Sequence, residues 1–145
     1  MRHLFITLFL TLTLIGCKTT SINQKVNKKR VGLWIEQYEM DSIRYKSIGE
    51  YKNGDPIKKW KYYTNNKINK KEIYKKNRCI ITFYNTNGTI QSKGKTKLIV
   101  TGPEMHWFYY GAWKYYDEKG NLITTKKYEN GEFVSEIKTN QHKKK

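Results

Sequence analysis

The sequence predicts an all-β protein, an elongated meander of antiparallel hairpins with little or no helix. Three observations lead to this prediction: aromatic residues make up 14% of the chain and alternate with polar ones, Asn and Gly recur at regular spacing, and short motifs repeat about every 23 residues. By contrast, no stretch combines the helical period of apolar residues with capping residues at its ends.

Alternating aromatic residues define the predicted strands. Trp60 and Tyr62 are two positions apart, and residues at this spacing lie on the same face of a strand. The same alternation recurs at Trp113 and Tyr115, and again at Cys79, Ile81 and Phe83. Each strand should therefore have one face richer in aromatic or apolar side chains, and Cys79 should face that side.

Asn and Gly mark the predicted turns between these strands. Both residues accept the positive φ that tight hairpin turns require. The pairs are Asn53-Gly54, Asn65-Asn66, Asn87-Gly88, Gly120-Asn121 and Asn130-Gly131. Taken together with the alternating segments, they predict a meander of about ten short strands.

Two motifs occur twice and reveal a repeat. Trp60-Lys61-Tyr62-Tyr63 returns as Trp113-Lys114-Tyr115-Tyr116, and Tyr51-Lys52-Asn53-Gly54 returns as Tyr128-Glu129-Asn130-Gly131. The repeating unit is about 23 residues, the spacing from Trp60 to Phe83. A hairpin of this length cannot bury its apolar face alone, so stacked units are expected.

This pattern resembles MORN-type repeats, in the variant found in bacterial antitoxin-like proteins and lipoproteins. The resemblance covers residues 31–137 and implies about four units in an elongated sheet that contacts proteins or membranes. The chain departs from the pattern in three places: Lys58 stands where Gly precedes Trp, Phe83 replaces Trp, and residues 94–110 hold an insertion or a degenerate unit.

The N-terminus is predicted to be an export signal. An apolar run of twelve residues follows Arg2 and His3. It is shorter than the roughly 20 residues that cross a bilayer and is typical of secretory signals. It ends in Leu14-Ile15-Gly16-Cys17, which resembles a bacterial lipobox and implies cleavage before Cys17 and lipidation of its thiol. The alternative is an ordinary signal peptide with a chance Cys.

Four segments follow from this organisation. Residues 1–16 are predicted to be the signal peptide, 17–30 the lipidated Cys17 and a flexible basic tether, 31–137 the repeat domain, and 138–145 a basic disordered tail. Lys18 stands where an Asp would indicate retention in the inner membrane, so the outer membrane is favoured. The residues directly after Cys17, Lys18-Thr19-Thr20, include no acid, which favours the periplasmic face.

The charge is concentrated in one stretch of the domain. Lys and Arg number 29 against 12 acids, and residues 58–78 form the candidate surface for anionic lipid headgroups, lipopolysaccharide or acidic polysaccharide. Its residues are Lys58, Lys59, Lys61, Lys70, Lys71, Lys75, Lys76 and Arg78. The alternative is a solvated strand face in which Lys blocks aggregation. On that interpretation, the abundance of Lys reflects a genome rich in A and T.

Nucleic acid is disfavoured as a partner. Only four of the 29 basic residues are Arg, the residue best suited to bidentate phosphate and base contacts. Export past the inner membrane argues in the same direction.

Catalytic signatures are not found, and no metal or cofactor is predicted. Cys79 is expected to be an inert buried thiol, with a Cys79–His106 pair as the alternative. His, Cys, Asp and Glu do not cluster at the spacings that metal sites use. We therefore expect a non-enzymatic protein.

One aromatic cluster lies outside the repeat and is the candidate ligand site. It follows Gly102-Pro103, where repeat packing does not require aromatic residues, and consists of Trp107, Phe108, Tyr109 and Tyr110. Such rings could stack on sugars, whereas the other aromatic residues are expected to form the core of a thin sheet.

The sequence thus predicts a membrane-anchored lipoprotein that acts as an interaction or scaffold module in the cell envelope. Its partners would be an envelope protein, anionic lipid or glycan. The alternatives are a glycan- or peptidoglycan-binding lipoprotein and an antitoxin-like inhibitor.

Overall fold

The computed structural model describes residues 21–139, which form one antiparallel sheet of ten strands in sequence order. The strands are β1 (Gln24–Val26), β2 (Lys29–Met40), β3 (Ile43–Lys52), β4 (Asp55–Thr64), β5 (Lys67–Lys75), β6 (Arg78–Tyr84), β7 (Ile90–Thr101), β8 (Glu104–Tyr116), β9 (Leu122–Glu129) and β10 (Glu132–Lys138). This confirms the predicted all-β meander. Within the described residues, no helix is long and apolar enough to span a membrane.

The sheet begins earlier than the sequence analysis predicts. β1 pairs with the first residues of β2, with Lys25 opposite Arg30. Asn27 and Lys28 form the turn between them, with φ values of 49° and 62°. A two-residue turn with both φ values positive closes a hairpin without splaying its strands. The folded part therefore starts at Gln24, inside the stretch predicted to be a flexible tether, and ends at Lys138, the first residue of the tail predicted to be disordered. The predicted signal peptide (1–16), Cys17 and residues 140–145 lie outside the described range.

The core lies on one face of this single-layer sheet. Trp34, Trp60, Cys79 and Trp113 are the buried hydrophobic residues among those described. Alternation along the strands and the register between them place all four on the same face, which we call the aromatic face. The predicted position of Cys79 on the apolar side is thus confirmed.

Tryptophan packs on glycine of the preceding strand in two of the units. The Trp60 ring covers Gly49 so closely that a Cβ there would lie 2.0 Å from Trp60 Cδ2, and Trp113 covers Gly94 in the same way. Trp60 Nε1 donates to the Glu50 carbonyl at 3.2 Å, and Trp113 Nε1 donates to that of Lys95 at 2.9 Å. Ring packing and this hydrogen bond together join one hairpin to the next.

A left-handed residue stands two positions before each tryptophan of the repeat. Gly32 and Gly111 have φ values of 70° and 68°, and Lys58 has a φ of 58°. Lys58 therefore adopts the backbone conformation of the glycine that it replaces. The register shifts next to Lys58 and Gly111, at β3–β4 and β7–β8, are β-bulges of the kind that such residues make.

Ile81, and not Phe83, occupies the tryptophan position of the third unit. Ile81 lies directly opposite Gly94, just as Trp34 lies opposite Gly49. Because Ile81 is smaller than tryptophan, the neighbouring strand need not have glycine beside it. Glu72 fills that position, opposite both Trp60 and Ile81.

The predicted insertion at residues 94–110 is a hairpin extension. β7 and β8 contain 12 and 13 residues and turn at Gly102-Pro103. The extended part reaches the β5–β6 turn, where Leu98 N donates to the Asn77 carbonyl at 2.8 Å. The Trp107 and Tyr74 rings also make a T-shaped contact, with centroids 5.8 Å apart.

Candidate functional site

The face opposite the aromatic one carries nine basic side chains across β4 to β8. We call this surface the lysine face. Strand alternation and register place its residues in three neighbouring rows: Lys61, Lys71, Lys93 and Lys114; Lys59 and Lys95; and Lys75, Arg78 and Lys97.

The first row brings like charges directly opposite each other. Lys61 pairs with Lys71, and Lys93 pairs with Lys114. Thr82 lies between these pairs and is only 3% exposed although its face is open to solvent. Long aliphatic lysine stems can cover such a residue while their ammonium groups stay in water. Opposed like charges destabilise a sheet, so this row is electrostatically unfavourable in the isolated protein.

The nine cations have no carboxylate partner within residues 21–139. The salt bridges of this range use other basic residues, namely Arg30, Lys58, Lys70, His106 and Lys127. A surface of one charge sign without counter-charges attracts anions over several ångströms.

Five of the eight residues predicted as a basic patch lie on this face: Lys59, Lys61, Lys71, Lys75 and Arg78. The other three are placed elsewhere. Lys58 pairs with Glu50 at 2.6 Å, Lys70 is on the aromatic face, and Lys76 is in a turn with a φ of 50°.

Four lysines of the face were missed in the sequence analysis: Lys93, Lys95, Lys97 and Lys114. The first three alternate along β7, so their period of two could have placed them on one face. Their proximity to residues 58–78 depends on strand pairing, which alternation alone does not specify.

The predicted ligand cluster at residues 107–110 is divided between the two faces, because successive strand residues point in opposite directions. Trp107 and Tyr109 are on the aromatic face, where Tyr109 stacks on Trp113 with centroids 4.1 Å apart. Phe108 and Tyr110 are on the other face. The centroid of the Tyr110 ring lies 5.9 Å from Lys97 Nζ.

Trp107 lines a cavity of about 480 Å³ beneath the hairpin extension. We call it the hairpin cavity. It is lined by Asp55, Pro56, Ile57, Tyr74, Lys76, Leu98, Met105 and Trp107. The structure therefore joins one residue of the predicted cluster to residues from β4, the β5–β6 hairpin and β7.

A larger cavity of about 520 Å³ lies on the aromatic side near the β2–β3 hairpin. We call it the aromatic cavity. Six of its lining residues are aromatic: Tyr38, Tyr45, Tyr62, Tyr63, Phe83 and Tyr84. Its polar residues are Glu36, Lys46, Ser47, Asn69, Lys70 and Gln91. No pattern in the sequence indicates this site, because its side chains come from six strands.

A buried carboxylate separates the two cavities. Glu72 has a side chain only 10% exposed and accepts hydrogen bonds from Tyr62 at 2.6 Å and Tyr74 at 2.9 Å. Lys70 Nζ lies 2.9 Å from its other oxygen and 3.9 Å from the centroid of the Tyr62 ring. All the hydrogen-bonding capacity needed to hold this charge is supplied by neighbouring side chains.

Burial and the carboxylate shift the titration of the surrounding groups. Burial, with hydrogen bonding and proximity to Glu72, raises the pKa values of Tyr62 and Tyr74 above their ordinary range. Both phenols therefore stay protonated and donate to Glu72. Burial and then the Glu72 charge raise the pKa of Cys79 to about 12, so its thiol is a poor nucleophile at neutral pH.

The alternative Cys79–His106 pair is not formed. Register places His106 on the face opposite Cys79, with its Nε2 3.3 Å from Glu104. Within residues 21–139, no three His, Cys, Asp or Glu side chains come together as a metal site.

Comparison with protein-family models, curated proteins and solved structures gives no match for this chain. The resemblance to MORN-type repeats thus stays a prediction from the sequence.

Proposed function

We propose that this protein is a lipid-anchored, non-enzymatic interaction module of the bacterial cell envelope whose lysine face binds an anionic membrane surface. The observation that carries the proposal is the set of nine basic side chains on one sheet face without carboxylate partners in the described residues. Each Lys or Arg near an anionic bilayer contributes about 1 kcal/mol.

The lipobox-like sequence ending at Cys17 supports the anchor. Gln24 begins the sheet seven residues later, and seven extended residues span at most about 25 Å. Such a short connection would hold the sheet close to the bilayer and raise the effective concentration of lipid headgroups at the lysine face.

Incorporation of labelled palmitate into the full chain should be lost in Cys17→Ser; continued incorporation would contradict the anchor.

The arrangement of the charges also supports a binding role. A genome rich in A and T would explain the number of lysines but not their position in adjacent rows. Of the nearby acids, Glu72 on β5 and Glu36 on β2 are on the aromatic face, and Glu50 on β3 is paired with Lys58. The basic surface is therefore left unneutralised at the centre of the sheet.

Charge reversal on the first row tests the proposal. The chain of residues 18–145, which carries no lipid, is mixed with phosphatidylcholine vesicles with and without phosphatidylglycerol. Lys61→Glu, Lys93→Glu and Lys114→Glu together should weaken binding to the anionic vesicles by about 100-fold or more, from about 1 kcal/mol per lysine. Added salt should weaken the wild type in the same direction.

The matched control variant reverses the same number of charges at positions away from the lysine face. Lys25→Glu, Lys67→Glu and Lys119→Glu lie in β1, at the start of β5 and in the β8–β9 turn. This variant should retain most of the binding. Unchanged binding after reversal on the lysine face would refute the proposal, and equal losses in both variants would attribute binding to net charge alone.

A further inference from the structure

The aromatic cavity draws its lining from six strands, and its central row of side chains crosses five of them. Its central row runs from Glu36 on β2 through Ser47, Tyr62 and Lys70 to Phe83 on β6, each residue directly opposite the next. Neighbouring strands lie about 4.8 Å apart, so the row is about 19 Å long. The cavity is therefore a groove at right angles to the strands, long enough for an extended ligand.

Flat aromatic surfaces line this groove. Tyr38 and Tyr45 stack with centroids 4.9 Å apart and an interplanar angle of 16°. Tyr38 is 62% exposed, so much of this pair is open to solvent. Water-exposed tyrosine rings offer a large rigid contact area at low entropic cost on binding.

Polar groups between the rings are held in place by other side chains. Glu36 lies 3.0 Å from Arg30 Nη1 and accepts a hydrogen bond from Ser47 at 3.3 Å. Asn69 Nδ2 donates to Thr64 Oγ1 at 2.7 Å, and Lys70 is fixed by Glu72. Preorganised donors and acceptors lose little entropy when a ligand arrives.

The backbone of these inner strands is not available to a ligand, because the antiparallel ladders already use its N–H and C=O groups. Recognition must depend on ring faces and on side-chain hydroxyl, amide, carboxylate and ammonium groups. A peptide strand adding to a sheet edge would not use this surface. A chain of sugar rings, with apolar C–H faces and hydroxyl edges, matches it.

We propose that the aromatic cavity is a binding site for an oligosaccharide, with sugar rings stacked on Tyr38 and Tyr45 and hydroxyl groups bonded to Glu36, Asn69 and Lys70. This site lies on the face opposite the lysine face. The inference goes beyond the proposed membrane contact and does not depend on it.

Isothermal titration of the full chain with three tetrasaccharides tests the inference, the probes being tetramers of glucose, N-acetylglucosamine and galacturonate. At least one should bind saturably. Tyr38→Ala and Tyr45→Ala should each weaken that binding by about tenfold, since each removes one ring contact. Comparison of the galacturonate tetramer with the two neutral ones shows whether Lys70 favours an acidic ring.

Two control variants separate this groove from other aromatic surfaces. Tyr110→Ala removes a tyrosine that is 39% exposed from the lysine face, and Trp107→Ala alters the hairpin cavity. Both variants should bind as the wild type does. Absence of saturable binding to all three probes would overturn the inference. So would undiminished binding in Tyr38→Ala and Tyr45→Ala, or an equal loss in Tyr110→Ala. Vesicle binding is measured separately, so failure here leaves that proposal intact.

Discussion

At the scale of single residues, backbone conformation is conserved between units although the side chain changes. Lys58 has a φ of 58° at the position where Gly32 and Gly111 have 70° and 68°. A residue with a Cβ pays about 1 kcal/mol or more for this left-handed conformation. The Lys58–Glu50 ion pair offsets only a part, since the lysine side chain is 66% exposed.

Replacing Lys58 should therefore show the preference for glycine. Lys58→Gly is expected to be about 1 kcal/mol more stable than Lys58→Ala, because both lose the ion pair and only alanine is strained. The measurement is the free energy of unfolding in urea. At the neighbouring strand position the order should reverse, with Lys59→Gly about 0.5–1 kcal/mol less stable than Lys59→Ala. Equal stability of the two variants at position 58 would contradict this account.

At the scale of elements, each hairpin packs on the preceding one through one apolar side chain, and the size of the residue beneath it matches the size of that side chain. Trp60 packs on Gly49, and Trp113 packs on Gly94. The third unit has Ile81 in place of tryptophan, and Glu72 with its tyrosine donors occupies the adjacent space. Ile81 in place of tryptophan and Glu72 in place of glycine therefore belong together, because the smaller Ile81 leaves room for the Glu72 side chain.

Alanine at Gly49 should disrupt this packing. Its Cβ would lie 2.0 Å from Trp60 Cδ2, so the ring or the strand must move, and we expect a loss of about 3 kcal/mol in the free energy of unfolding. Against a Trp60→Leu background, Gly49→Ala should cost less than about 1 kcal/mol. Thermal unfolding of the four variants of this cycle gives the coupling.

Gly94→Ala is the control for that cycle. Its clash is with Trp113, so Trp60→Leu should leave its full cost unchanged. If Trp60→Leu rescued both glycine substitutions equally, the specific pairing of each tryptophan with one glycine would be wrong.

At the scale of the whole molecule, a single-layer sheet buries few side chains, and several of them carry titratable protons. Cys79, Tyr62 and Tyr74 surround Glu72 at the centre of the sheet. Their pKa values are raised in the fold because burial and the carboxylate disfavour the charged forms. Global stability is therefore linked to pH in the alkaline range.

Stability should decrease as pH rises above 9. Cys79 has a pKa of about 12 in the fold against 9.0 when unfolded, so its contribution is complete below pH 9 and is lost towards pH 12. Each such proton gives a slope of up to about 1.4 kcal/mol per pH unit, and the two tyrosines add to it above pH 10. Urea unfolding of Cys79→Ala between pH 9 and 10 should show a shallower slope than the wild type. An identical slope would contradict the assignment to Cys79.

Local sequence patterns were sufficient to predict much of the fold, but they predicted the candidate sites less completely. Pairs of Asn and Gly predicted five of the nine turns that join the strands, and period-two alternation predicted the face of Cys79 and of Trp60. The same alternation could have divided residues 107–110 between two faces and aligned Lys93, Lys95 and Lys97. The aromatic cavity had no comparable signal, because its row draws one residue from each of five strands.

The sequence by itself determined the all-β meander, its ten strands and the alternation of side chains along each one, because turn conformation and strand period depend on neighbouring residues. Only the tertiary structure decided that Ile81 and not Phe83 stands opposite Gly94, that Lys70 faces Glu72, and that Lys61, Lys71, Lys93 and Lys114 share one row. The physical reason is register: each β-bulge shifts the pairing of the next strand, so neighbours across the sheet depend on the accumulated geometry of all the hairpins.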